Sequence, residues 1–272
     1  MTRTVLTTSF LVLLAVFLLA PFVWMFLVSL HPSKSPIPDF AHLVPNRPAW
    51  ENYRTVVFSP EVPVLRFFLN SLLVCTSVVF GQLVLCSMAA YGFARVKFPG
   101  RDVLFSIFLG TMMFAGTVTQ IPQFLLLRTF GWLDTYLALI VPSVGSAFGV
   151  FLLRQFFLQI PREIDEAARI DGASDWIIYS KLIVPMSKAA LATLGAFAFI
   201  ATWTDFFWPL IATSSLEMRT LEVGLSIFKN SYEGTNWPLQ MTSAVVALVP
   251  VLIVFLSLQR YFVKGVTVGS VK

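Results

Sequence analysis

Six apolar runs, each long enough to cross a bilayer, decide what this chain can become. They cover residues 7–30, 66–92, 103–127, 135–157, 186–212 and 241–262. A spanning helix needs about 20 apolar residues. Backbone in lipid must satisfy its own hydrogen bonds, so only helices or closed barrels serve. The runs are continuous rather than short and alternating, which predicts helices and not a barrel. Charged residues make up only 12% of the chain, against about 25% in a soluble domain. The expected fold class is an all-α membrane protein with six transmembrane helices.

The first run, behind Arg3, exceeds the 7–15 apolar residues of a signal peptide. It is expected to stay as a span, followed by a loop at 31–65 that holds seven prolines (Pro32, Pro36, Pro38, Pro45, Pro48, Pro60 and Pro63). That loop is expected to be a non-helical cap on the outer face. The expected organisation is 1–65 as first helix plus loop, 66–262 as a five-helix core, and 263–272 as a tail. With the N-terminus inside, twelve of the 19 Lys and Arg fall on the cytoplasmic side and seven outside. This satisfies the positive-inside rule with both termini cytoplasmic. The net charge of +5 is thereby a matter of topology, not a signal for nucleic acid.

Residues 161–185 read PREIDEAARIDGASDWIIYSKLIVP and carry five of the 14 acidic residues. They form a long polar interruption between two apolar runs, on the cytoplasmic side by the charge count. Pro161 suits the first position of a helix, Gly172 its C-terminal cap, Ser174 the N-cap of a second helix, and Pro185 its close. Ile164, Ala167, Ala168 and Asp171 fall on one face by helical spacing. The small alanines there allow close approach, so the segment is expected to be docked against.

Elsewhere polar residues are few. Gln120 and Gln123 flank Pro122 in the third run; they line a polar passage or bond neighbouring helices. Pro122 is expected to kink that helix. Arg154 is expected to snorkel to the interface. The fifth run is rich in alanine and glycine, which suits close helix packing. Asp205 is the acidic residue within a predicted span, which makes it a candidate for function. It lies roughly 25 Å beyond Lys188, near a boundary, with Trp203 and Trp208 as an interfacial belt. It is either structural or part of a pathway or gate. Cys75 and Cys86 are about 16 Å apart along a helix, too far to bridge.

Several chemistries are absent. The chain has no GxxxxGK[ST] phosphate loop, no Ser–His–acid set, no HExxH or paired Cys/His metal spacing, and no row of arginines in a span. A transporter is expected rather than an enzyme. The residues alone leave a membrane enzyme acting on lipids, or a stand-alone carrier, open.

Glu166-Ala167-Ala168, then Gly172 after three intervening residues, then Leu182-Ile183-Val184-Pro185 after nine more, resemble the EAA motif. That motif marks the transmembrane subunits of binding-protein-dependent ABC importers. Glu51-Asn52-Tyr53, AAYGFARVKFPGR from Ala89, FLLRQFF from Phe151, TWTDFFWPL from Thr202 and QRYFVKG from Gln259 are similar to maltose-type carbohydrate permeases, in particular the smaller, MalG-type subunit. Thr204 stands where the family usually has Asn, and Gly116 near where it often has Pro. The resemblance implies a type I ABC importer permease fold in a bacterial or archaeal plasma (inner) membrane, surrounded by lipid. It implies a second homologous permease, two ATPase subunits and an external solute-binding protein as partners. The ATPases would bind ATP and Mg, and this chain would bind no cofactor. Glu166, Ala167, Ala168, Asp171, Gly172 and Pro185 would dock the ATPase, joined by the tail after Lys264. An outer loop at 217–239, with Glu217, Tyr232 and Trp237, would reach the binding protein. The implied cargo is an oligosaccharide, disaccharide or sugar–polyol, with a glycerol phosphate or another solute as the alternative. In the family the sugar contacts lie largely on the other permease.

Overall fold

The structure, a computed structural model, describes residues 2–59, 62–229 and 236–268. All regular structure among them is helical. In chain order the α-helices are α1 (Thr2–Ser29), α2 (Glu51–Val57), α3 (Val64–Arg95), α4 (Arg101–Gly110), α5 (Gly116–Thr129), α6 (Tyr136–Ile140) and α7 (Ala147–Gln159). Then come α8 (Arg162–Ile170), α9 (Asp175–Ile177), α10 (Val184–Met186), α11 (Lys188–Trp203), α12 (Phe207–Ala212), α13 (Leu221–Leu225) and α14 (Trp237–Val268).

Among the described residues, four stretches are long and apolar enough to cross a membrane unbroken: Leu6–Ser29, Val64–Arg95, Tyr136–Gln159 and Trp237–Ser257. Two further runs are bent pairs, Arg101–Met113 with Gly116–Thr129 at 98° and Asp175–Met186 with Lys188–Trp203 at 77°. The third predicted run is therefore not a straight helix, and Pro122 is not its hinge. Pro122 lies inside α5. The break falls at Phe114 and Ala115, each extended with ψ 128°, so the helical hydrogen bonds stop there whatever follows. The fifth run also departs from its expected limits. It starts before Ser187, where the pair bends, and stops at Trp203 before resuming as α12.

The chain divides into two compact units. One comprises Met1–Phe68 and Leu221–Pro250. Its Pro-rich segment is not free of helix: α2 occupies the proline-free stretch between Pro48 and Pro60. This short helix aims Asn52 at the end of α1. The Asn52 amide donates to the carbonyls of Ser29 and His31 at 2.8 Å each, and Thr242 Oγ1, which donates to Pro238 O at 2.7 Å, lies 3.2 Å from Ser29 O. Tyr53 Oη lies 2.7 Å from Ser29 Oγ. A helix ends with four carbonyls that lack intrahelical partners, and these side chains supply donors for that end.

The other unit comprises Leu69–Thr220 and Val251–Lys272. Its larger core gathers Cys86, Ala90 and Ala94 of α3, Phe105 of α4, Leu153 and Phe157 of α7, Ile178 and Ile183, and Ala190 and Leu194 of α11. A second cluster joins Val74 and Val78 to Leu127, Leu139, Trp208 and Ala212. The cysteines are both buried and free. Arg154 does more than reach for an interface. Its Nε donates to Phe93 O at 3.2 Å and its guanidinium lies 4.0 Å over the Phe105 ring.

Asp134 closes a turn in this unit. It adopts φ 59°, a left-handed conformation that Asp tolerates better than most residues. Its Oδ1 accepts from Ser214 N, Ser215 N and Ser215 Oγ at 3.0 Å each, and its own N donates to Ala212 O at 2.9 Å. Burial pushes its carboxyl up, but the donors of Ser215 and Ser214 outweigh burial and hold it below the usual carboxylate range. A depressed folded-state pKa means the clamp is fully present above the unfolded value and is lost as pH falls through the folded one. Hydrogen-exchange protection at Ser214 and Ser215 is expected to fall on acidification through that range. Asp134→Asn is expected to remove the dependence, and a pH-independent profile in the unchanged protein would count against the clamp.

Candidate functional site

The α8 turn is built by a cap, a core contact and a buried ion pair. Pro161 precedes α8 with φ −55° and ψ 137°, as its N-cap residue rather than its first helical one. At the other end Gly172 takes φ 82°. Gly172 N donates to Arg169 O at 3.0 Å and Ala173 N to Ala168 O at 2.9 Å, the paired bonds of a Schellman motif with glycine at its left-handed position. Ala168 and Ala173 both pack on the larger core. Glu166, Ala167, Asp171 and Gly172 are exposed. The predicted single face thus divides: Ala168 packs on the core, Ile164 is half-buried, and Ala167 and Asp171 are exposed. Two apolar side chains that spacing did not single out, Ile170 at 87% and Trp176 at 61% exposure, stand on the same turn. Apolar side chains displaced from the inward face of a charged helix are the signal that finds them.

The second half of the segment also departs from expectation. Ser174 occupies the N-cap position but its side chain makes no cap hydrogen bond. Ile178–Ile183 winds as a π-helix, and Pro185 lies exposed in α10, one residue before the segment ends at Met186 and the chain bends. Tyr179 Oη meets Ser87 Oγ of α3 at 2.7 Å. Its ring contacts Tyr91 at 5.4 Å and Trp176 at 5.3 Å between centroids.

One arginine ties α8 to the unit's core. Arg95, the last residue of α3, is buried; its guanidinium donates to Phe157 O and Ile160 O at 2.6 Å each. It also pairs with Asp165 of α8 at 3.4 Å. Arg169 and Asp175 bridge the turn at 2.7 Å, half exposed. A basic residue in a cluster after an apolar run reads as a topology anchor, and only its neighbours in space reveal it as a tie.

The second polar site is a cavity of about 240 Å³ lined by residues of α3, α11 and α12 and of the break before α7. Asp205 lines it, half-buried, and accepts from Trp208 N at 3.3 Å. Trp208 is buried with Nε1 donating to Ala138 O at 2.9 Å, and Trp203 is 1% exposed and stacked on Phe199. Both tryptophans are core residues, so the expected interfacial belt does not form. Gln120 and Gln123 are half-buried on α5 and do not line this cavity. Glu217 is exposed beside the carbonyls held by Asn70, whose amide donates to Glu217 O and Arg219 O at 2.7 and 2.9 Å. Trp237 is half-buried at the start of α14, and Tyr232 lies outside the described residues. Among the described residues no group of His, Cys, Asp and Glu is placed to hold a metal.

Comparison with known proteins extends over nearly the whole chain. The family described as "Binding-protein-dependent transport system inner membrane component" matches residues 2–268. The arabinooligosaccharides transport system permease protein AraQ of Bacillus subtilis is 34% identical, covering 97% of this chain and 94% of its own length. The sn-glycerol-3-phosphate transport system permease protein UgpE of Brucella abortus is 33% identical over 90% and 89%. The trehalose/maltose transport system permease protein MalG of Thermococcus litoralis is 32% identical over 96% and 94%. A chain from the crystal structure of a bacterial ABC transporter involved in the import of the acidic polysaccharide alginate matches with TM-score 0.83 at 25% identity, covering 96% of each chain.

Proposed function

The chain belongs to the family of binding-protein-dependent transport system inner membrane components, and we propose that its cargo is a sugar, carried as an oligosaccharide, disaccharide or sugar–polyol. It is a multi-pass transport subunit with the ABC importer permease fold and not an enzyme, and ATP hydrolysis belongs to a separate chain. The relatives named for arabinooligosaccharides and for trehalose/maltose, each matched over at least 96% of this chain, support the sugar reading. The relative named for sn-glycerol 3-phosphate favours that solute as the second reading.

The exposed α8 turn carries the mechanism. Glu166, Ala167, Asp171 and Gly172 present charge and bare backbone beside Ile170 and Trp176, on a turn tied through Arg95 to α3 and α7. An ATPase that grips this turn moves those helices, and alternating access follows. In this reading Ala168 supports the turn from its core side, and Pro185 borders it. The turn, both termini and the 263–272 tail face the cytoplasm, as the Lys and Arg bias requires. Two ATPases and a second homologous permease complete the membrane complex. The solute-binding protein is assigned Glu217, Tyr232 and Trp237 as its contacts.

Glu166→Arg and Gly172→Val test the docking role in the complete importer in proteoliposomes. Gly172→Val places a β-branched residue at positive φ, at a cost of about 1–3 kcal/mol. Both variants are expected to cut uptake at least tenfold while solute binding by the binding protein is unchanged. Normal uptake in both would overturn the role. Calorimetry of the solute-binding protein with maltose, trehalose, arabinotriose and sn-glycerol 3-phosphate decides the cargo.

A further inference from the structure

The cavity beside Asp205 has features that helix packing does not require. Ser71, Gln82, Ser143, Ser146, Thr202 and Thr220 bring hydroxyl or amide groups to its wall. Its one charged lining side chain, among the described residues, is Asp205; no Lys, Arg or His lines it. Thr220 is 6% exposed, and its Oγ1 is buried with no hydrogen-bond partner. Buried polar atoms are nearly always satisfied, and an orphan calls for an explanation. A volume of about 240 Å³ equals roughly eight waters at about 30 Å³ each. That suits one ring-sized unit and not a whole oligosaccharide.

We infer that this cavity is a solute-contact site on this chain, accepting one ring of an uncharged polyhydroxylated solute and rejecting anionic solutes. The chemistry follows from the wall. A sugar ring offers many hydroxyls, each a donor and an acceptor. Asp205 is an acceptor only, and a carboxylate makes a stronger bond with a hydroxyl than a neutral acceptor does. Thr220 lines the cavity, and a χ1 turn that brings its buried Oγ1 to that wall gives the hydroxyl the partner it lacks. Leu139, Val74 and the Trp208 ring supply apolar wall for the face of the ring. A phosphate or uronate brings negative charge to the same carboxylate. At about 4 Å and an effective dielectric near 20, two unit charges repel strongly enough for roughly a thousandfold discrimination.

Asp205 also holds Trp208 N, so its substitution alone does not separate solute contact from structure. Thr220 does. Its hydroxyl has no partner to lose, so Thr220→Val is neutral or stabilising in a purely structural account.

The inference rests on the sugar-importer reading, and its test is kept separate from it. The assembled importer carries Thr202→Cys on a Cys75→Ser, Cys86→Ala background, as a reporter in the cavity. Labelling rates with a cationic and an anionic methanethiosulfonate are measured, each relative to free cysteine. The cation is expected to react at least tenfold faster, and Asp205→Asn to bring the ratio towards one. Maltose, trehalose or arabinotriose at millimolar concentration is expected to slow labelling at least threefold, with no effect from sn-glycerol 3-phosphate. Thr220→Val is expected to remove the protection. Equal reagent rates, or no protection by any of the sugars, overturns the inference and leaves the sugar reading to the calorimetry. Protection by sn-glycerol 3-phosphate, with calorimetry selecting that solute, overturns both. If Asp205→Asn fails to assemble, the Thr220→Val arm still decides: protection unchanged by that variant overturns the contact.

Discussion

Arg95→Ala is expected to destabilise the permease by about 3–5 kcal/mol and to release α8 from α3 and α7. The guanidinium serves three acceptors at once: Phe157 O, Ile160 O and Asp165. Arg95 is 8% exposed and Asp165 8%, so removing the arginine leaves a buried carboxylate, strips Ile160 O of its donor and leaves Phe157 O with only the long bond from Ile160 N at 3.3 Å. Breaking a buried pair from one side carries that cost because the remaining charge stays desolvated. Arg95→Lys is expected to recover only part of it, since an ammonium lacks the planar fork that reaches several acceptors. A double change, Arg95→Met with Asp165→Leu, is expected to restore more, because a buried pair replaced by apolar groups is often neutral. The shortfall reports the two carbonyls. Thermal unfolding in detergent checks the stability series. Uptake per ATP hydrolysed, in vesicles, checks the coupling. An Arg95→Ala importer with unchanged melting and unchanged coupling would show that α8 is held by the alanine contacts alone.

The sequence makes the large features legible and hides the ones that depend on single residues meeting in space. Apolar runs of membrane length announce helices because lipid leaves the backbone few alternatives. The Gly172 cap is legible too, since glycine at a helix end has a conformational reason that needs no neighbours. The bend at Phe114 and Ala115 is not. Neither residue type carries a breaking signal, while Pro122, which does, sits harmlessly within α5. Trp203 and Trp208 follow the composition of an interfacial belt, yet the break after Trp203 turns them into core. Arg95 and Arg154 read as inside charges. What they bind, carbonyls at the ends of other helices, is separated from them by about 60 residues of chain. The α8 turn is half legible. Its cap and its alanines come from spacing, but which alanine faces outward depends on where the core lies.

Asn52→Asp is expected to be the more damaging of two changes at neutral pH and the milder in acid. Asn52 is 2% exposed and gives its amide to Ser29 O and His31 O. Asn52→Ala deletes both donors. Thr242 gives its single hydroxyl proton mainly to Pro238 O at 2.7 Å, with Ser29 O at 3.2 Å as the weaker acceptor, so both Ser29 O and His31 O are left short of a donor, at about 1–3 kcal/mol independent of pH. Asn52→Asp keeps the shape but replaces the donor with an anion facing two carbonyl oxygens. A buried carboxylate without a partner takes up a proton instead, so its folded-state pKa rises above the unfolded value. With a raised folded pKa, stability is greatest below the unfolded pKa and is lost as pH rises through the folded one. In acid the protonated carboxyl donates to one carbonyl and recovers half of the cap. At pH 7.5 it has nothing to donate, and the variant is expected to unfold below Asn52→Ala. At pH 4.5 the order is expected to reverse. For a chain of this size each kcal/mol moves the melting temperature by about 2–4 °C, so melts of the two variants at the two pH values are sufficient. The same order at both would mean that Asn52 fills space at the end of α1 and does not cap it.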